Sequence, residues 1–130
     1  AVLKDGDDIT LIATGIEVSY ALLAAERLEK DGISAAVVNM STIKPIDKDL
    51  IIKYARKTGA IVTAEDHNIY NGLGSRVAEV LVENYPVRML RVGMPDKFGR
   101  SGKWNELLKY YEMDDAGIYN AAKKLLEVKK

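Results

Sequence analysis

Within one short stretch, Glu65-Asp66-His67 and Gly72-Leu73-Gly74 bring together two carboxylates, the only histidine of the chain and two glycines. An imidazole titrating near about 6.5 suits general acid or base work, and neighbouring carboxylates favour its charged form. The glycines lead into an apolar-periodic run, so the first N–H groups of a helix there can face an anion. Neither chemistry is complete. A dinucleotide fingerprint needs a third glycine where Val77 stands, and a nucleophilic or metal site needs a serine, cysteine or second histidine that this spacing does not supply. The structural alternative is that Gly72 and Gly74 give a tight turn and a close helix–strand approach. We adopt that reading for the glycines, and we read His67 as an interface or surface residue.

A second cluster runs from Lys97 to Trp104, with Arg100, Ser101 and Lys103 among its polar groups. Cations with aromatics suit phosphate or single-stranded nucleic acid, and Gly102-Lys103 has a P-loop flavour. Trp104 stands where the metal-binding hydroxyl belongs, however, and Lys97 where the first glycine should be. A loop that docks against a partner, with Trp104 anchoring the next helix, accounts for the same residues. In the third cluster, Ser41 to Asp49, Pro45 fixes a turn and Asp47 caps a helix, which leaves only Lys44 to face a ligand. No zinc spacing, Ser-His-Asp set, calcium loop or carboxylate pair is legible.

Composition narrows the classes further. The 19 Lys and Arg balance 19 Asp and Glu, so there is no general attraction to nucleic acid or anionic membrane. With no cysteine, thiolate catalysis, thiolate metal sites and disulfide scaffolds are excluded. Apolar runs fall short of the roughly 18 residues of a membrane span, and the opening AVLKDGDD lacks the order of a signal peptide. A cytoplasmic protein is expected. A length of 130 residues suits one domain, 1–130. Because the chain opens on Ala1 and runs almost at once into a strand, a missing upstream segment is also expected.

The elements that must hold these clusters alternate. ITLIAT (Ile9 to Thr14), SAAVVNM (Ser34 to Met40), AIVTAE (Ala60 to Glu65) and VRMLRV (Val87 to Val92) read as strands with apolar centres, and Ala1 to Leu3 as a short edge strand. Between them Val18, Ala21, Leu22, Ala25 and Leu28 form one helical stripe, and Leu73, Val77, Val80 and Leu81 another. Two further stripes follow, one through Trp104, Leu107, Leu108 and Tyr111, the other through Ile118, Ala121, Ala122, Leu125 and Leu126. Thr14 with Glu17 has capping-box spacing, Asp47 and Asp114 read as N-caps, and Gly32 and Gly59 as left-handed helix ends. This alternation predicts a layered α/β domain with a mostly parallel sheet, whose loops at the carboxyl ends of the strands are where ligands gather.

GDDITLIATG, VVNMSTIKPID, IVTAEDHNIYNGLGSRVAEVL and DKFGRSGKWNELLKYYEMD follow one another in order, spread along nearly the whole chain. They resemble the C-terminal domain of transketolases, especially the form in which that domain belongs to a separately encoded C-terminal subunit. Related domains occur in deoxyxylulose-phosphate synthases and in the β subunits of 2-oxoacid dehydrogenases. The ending FGRSGKWNELL with YYEMDDAGI is the part most similar to transketolase.

The resemblance implies a three-layer α/β/α fold with a five-stranded, mostly parallel sheet and one antiparallel edge strand. It implies an enzyme that uses thiamine diphosphate and magnesium to move a two-carbon ketol unit between sugar phosphates. In that family the cofactor lies between two other domains, so this one is expected to bind no cofactor or metal, to hold no catalytic residue and to be inactive alone. Its expected partners are the N-terminal transketolase domains or subunit, in a homodimer or heterotetramer, without nucleic acid or membrane. Glu65, Asp66 and His67 match an EDH-type segment on the face toward the other domains, and Gly72 and Gly74 match the turn into the next helix. With Arg100, Ser101 and Lys103 they are the interface or substrate-proximal candidates. Gly6-Asp7-Asp8 is the nearest approach to a metal–diphosphate clamp and lacks its second glycine. Two alternatives stand beside this reading. One is a stand-alone nucleotide or small-molecule-binding regulatory domain; the other is the corresponding domain of a 2-oxoacid dehydrogenase or deoxyxylulose-phosphate synthase.

Overall fold

A computed structural model describes residues 1–40, 46–68, 72–94 and 104–129. In chain order the elements are β1 (Val2–Lys4), β2 (Ile9–Ala13), α1 (Glu17–Lys30), β3 (Ala35–Asn39), α2 (Lys48–Thr58), β4 (Ala60–Asn68), α3 (Leu73–Asn84), β5 (Arg88–Met94), α4 (Trp104–Tyr110) and α5 (Asp115–Lys129). The strands form one sheet in the order β1-β3-β2-β4-β5. All pairings are parallel except that of β1 with β3 at one edge. The five-stranded, mostly parallel sheet with an antiparallel edge strand is therefore present as expected.

Alternation along each strand divides the core. Ile9, Leu11, Ala13, Val37, Val62 and Ala64 face α1 and α5, whereas Ile12, Ala36, Val38 and Ile61 face α2 and α3. Because both faces are covered, β2 is buried at every position and can be a continuous apolar run. The opposite face of α1 is wet, and the stripe of Ala21, Ala24, Ala25 and Leu28 is buried. These small alanines let α1 sit close to the sheet.

Helix ends follow the local chemistry, with one exception. Gly32, at φ 78°, closes α1 in a Schellman motif: its N–H donates to the Glu29 carbonyl (2.9 Å) and that of Ile33 to Leu28 (2.9 Å). Gly59, at φ 70°, ends α2, and the Asp47 carboxylate accepts from the Leu50 N–H (3.1 Å) at its start. Asp114 caps α5 by accepting from the Gly117 N–H (2.9 Å). The exception is the capping box expected of Thr14 and Glu17. Helix α1 begins one residue after Ile16 with no side-chain cap, and the Thr14 hydroxyl and both Glu17 carboxyl oxygens are buried without a hydrogen-bond partner. The Glu17 N–H bonds instead to the Thr14 carbonyl (3.2 Å).

Candidate functional site at the carboxyl edge of the sheet

Helix α1 leaves β2 on one face of the sheet and α3 leaves the adjacent β4 on the other. The carboxyl ends of β2 and β4 thus form the topological switch point, the position where open α/β sheets bind ligands. Thr14, Gly15 and Glu17 arrive there from β2, and Glu65 and Asp66 from β4.

The two consecutive acids of β4 project to opposite faces, and each meets the start of a helix. On the α3 face, Glu65 is 1% exposed. Its Oε1 accepts from the Leu73 N–H (2.9 Å) and its Oε2 from the Gly74 N–H (2.7 Å). A buried carboxylate taking two backbone N–H groups at a helix N-terminus is held by charge-assisted hydrogen bonds and by the helix dipole. The anion that this helix start was expected to attract is therefore the chain's own Glu65.

Gly74 makes the arrangement possible. A Cβ there would lie 2.7 Å from Arg91 Cδ and 3.0 Å from Thr63 Oγ1, so the close approach read from the sequence is real. Gly72 precedes α3 with φ −108°, outside the left-handed region, so the turn makes no use of glycine's positive-φ freedom.

On the α1 face, the Asp66 carboxylate lies against Gly15, where a Cβ would sit 3.2 Å from Oδ1 and 3.3 Å from Oδ2. Gly15 has φ 59°, a left-handed turn that glycine adopts without steric cost. Glu17 stands two residues on, fully buried at the start of α1. Desolvation first, and then the charges of Asp66 and Asp114, push its carboxyl up to about 8, so it carries its proton at neutral pH. Sequence reasoning missed Glu17 by assigning it to a cap. An acid in the first turn after a buried strand and Gly15 was the available signal.

The backbone of His67 lies in β4; Arg100, Ser101 and Lys103, with Ser41 to Pro45, lie outside the described residues. The structure thus brings Glu65, Asp66, Gly72 and Gly74 to one edge, and there Glu65 and Gly74 do structural work.

A thiamine diphosphate clamp finds no fit among the described residues. Gly6-Asp7-Asp8 precedes β2, at the end of the sheet away from the switch point. Its atoms are committed locally: the Asp7 carboxylate lies 3.6 Å from Lys57 Nζ, and that of Asp8 accepts from the Ser34 N–H (2.7 Å). Gly6 packs on the backbone of Ala35, which a Cβ would approach to 2.3 Å. Among the described residues no three metal-ligating side chains converge. A cavity of about 390 Å³ between β5 and α5, lined by Leu90, Val92, Tyr111, Asn120 and Lys124 among others, takes in none of the candidate residues.

The family described as transketolase, C-terminal domain, matches residues 1–118. A Methanocaldococcus jannaschii protein named as a transketolase C-terminal section is 51% identical, over 97% of this chain and 38% of that protein. A 6-deoxy-6-sulfo-D-fructose transketolase subunit from Clostridium sp. (strain MSTE9) is 45% identical, over 99% of this chain and 40% of the subunit. Among solved structures, a split-gene transketolase described as an inactive beta4 tetramer superposes with a TM-score of 0.95 at 47% identity, over all of this chain and 43% of that one. The chain spans less than half the length of these relatives. It belongs to the transketolase C-terminal domain family.

Proposed function

We propose that this single domain, 1–130, is a non-catalytic positioning body of a transketolase that moves a two-carbon ketol unit between sugar phosphates. In this reading, companion domains or a companion chain hold thiamine diphosphate and magnesium, and the cofactor supplies the carbanion-stabilising chemistry when bound. The carboxyl edge of the sheet, with Glu65, Asp66, His67, Gly72 and Gly74, faces that companion and closes one side of its active-site region. Arg100, Ser101 and Lys103 belong to the same contact. The assembly also contains further copies of this chain, in a homodimer or heterotetramer.

One observation carries the proposal: nearly the full length of this chain matches less than half of each transketolase relative. The site supports it, because the helix start most suited to phosphate is filled by Glu65. Titration calorimetry tests it. The thiamine-diphosphate-bearing companion should give saturable heat with this chain, whereas nucleotides and sugar phosphates alone should give none. Saturable heat from a nucleotide and none from the companion would favour a stand-alone regulatory domain instead.

A further inference from the structure

The two edges of the sheet are finished differently. At one edge β1 is only 3 residues long, which leaves little backbone for another strand to pair with. At the other edge β5 runs for 7 residues, Arg88–Met94, and pairs with β4 alone among the described strands. Every second residue of such a strand turns its backbone N–H and C=O away from the sheet, so β5 offers a row of donors and acceptors to one more strand.

A groove lies along that edge. The cavity of about 390 Å³ is walled on the sheet side by Leu90 and Val92 and on the helix side by Gly117, Asn120, Ala121 and Lys124 of α5. The helix positions follow the spacing i, i+3, i+4 and i+7, so they form one face of α5 turned toward β5. Leu90 and Val92 lie on that same side of the strand, within the core that α5 covers. An open strand edge with a helix beside it and a cavity between suits an extended peptide, whose backbone joins the sheet while alternate side chains enter the cavity.

Charge selects the composition and direction of that peptide. Asp114, the residue before α5, acts on Glu17 at the carboxyl edge of the sheet, so α5 starts at that edge and runs antiparallel to β5. Glu112 also lines the cavity, and its carbonyl packs on Gly117 in the first turn of α5. It therefore stands toward the carboxyl end of the groove, and Lys124 toward the amino end. Neither side chain is in an ion pair among the described residues. From Gly117 to Lys124 the helix rises about 10 Å. That spans roughly three to four residues of an extended chain, and only residues two or four apart share a face, so the two charges meet residues four apart. Antiparallel pairing is the more stable per residue. A strand antiparallel to β5 enters past Glu112 and leaves past Lys124. It therefore presents a basic residue first, an apolar one two positions on and an acidic one two beyond that, all toward α5.

We propose that the β5 edge and α5 form a docking groove for an extended peptide of another protein, of the order basic-x-apolar-x-acidic, added to the sheet as one further antiparallel strand. The contact uses none of the residues assigned to the companion above.

The test uses a fluorescein-labelled nine-residue peptide of threonines that carries lysine, leucine and glutamate at its third, fifth and seventh positions. Titrated with the whole chain and read by fluorescence anisotropy, it should bind saturably. A peptide with lysine and glutamate exchanged should bind roughly tenfold more weakly. In the double variant Glu112→Lys with Lys124→Glu that preference should invert. Both side chains are exposed, so the exchange leaves the fold intact, as circular dichroism should show. Hydrogen exchange with the first peptide bound should slow at the amides of β5. Absence of saturable binding, equal binding of the two peptides, an unchanged preference in the double variant, or protection that spares β5 would each overturn the proposal.

Discussion

At the scale of single residues, the two acids that matter most at the carboxyl edge behave in opposite ways. Glu65 is a buried carboxylate satisfied by two N–H groups. Replacing it with alanine leaves both donors buried and unpaired, a loss of about 2–4 kcal/mol. Chemical denaturation of Glu65→Ala should show that loss with an unchanged m-value. Glu17 is buried without a partner and holds its proton up to about pH 8. The unfolded chain releases this proton near the ordinary value of 4.5. Between these values the folded state binds the extra proton, so Glu17 erodes stability as pH rises from about 4.5 to 8 and no further above that. Glu17→Gln, which cannot ionise, should be favoured increasingly over the wild type across that window, by a few kcal/mol at its upper end. Melting temperatures of the two proteins that stay parallel from pH 5 to 8 would contradict this account of Glu17.

At the scale of elements, close backbone approaches decide which glycines are irreplaceable. A Cβ on Gly117 would lie 1.9 Å from the Glu112 carbonyl oxygen, a backbone atom that cannot swing aside. One on Gly74 would meet side-chain atoms instead, Arg91 Cδ at 2.7 Å and Cγ at 2.9 Å and Thr63 Oγ1 at 3.0 Å, which can shift more readily than backbone. Gly117→Ala should therefore cost about 3 kcal/mol or more and disturb the corner between α4 and α5, while Gly74→Ala should cost less, about 1–3 kcal/mol. Denaturant midpoints of the two variants, compared directly, check the order.

The elements themselves were legible in the sequence because buried parallel strands and one-sided helices carry periods of 2 and 3.6 that local composition states openly. The caps at Asp47, Asp114, Gly32 and Gly59 were legible for the same reason, since each depends on residues a few positions away. What could not be read is long-range. Glu65 caps a helix eight residues downstream across a loop, and Glu17 meets Asp66 and Asp114 only once β4 and α5 are in place. The capping box misled because Thr14 and Glu17 have the right spacing, yet the chain makes a left-handed turn at Gly15 and α1 starts two residues later than the box requires, with Ile16 at its N-cap.

At the scale of the whole molecule, α1 and α5 are clasped by contacts on their outer surface. Arg27 stacks 4.6 Å from the centroid of the Tyr119 ring, the Tyr119 hydroxyl donates to Asp31, and Lys123 lies 3.5 Å from the same carboxylate. At the other end of the sheet, the Asp5 carboxylate accepts from Lys57 Nζ (2.6 Å) and the Tyr54 hydroxyl (2.9 Å), which lower it to about 2 and tie the chain before β2 to α2. This is a body braced on both faces, and no helix among its described residues is long and apolar enough to cross a membrane. The proposed function divides the labour, with the chemistry assigned to companion domains. The most direct test is a ketol-transfer assay with thiamine diphosphate, magnesium and paired sugar phosphates. The account predicts no turnover from this chain alone and turnover above that of the companion alone when the two are mixed. Sustained turnover by the isolated chain, or no gain on mixing, would contradict it.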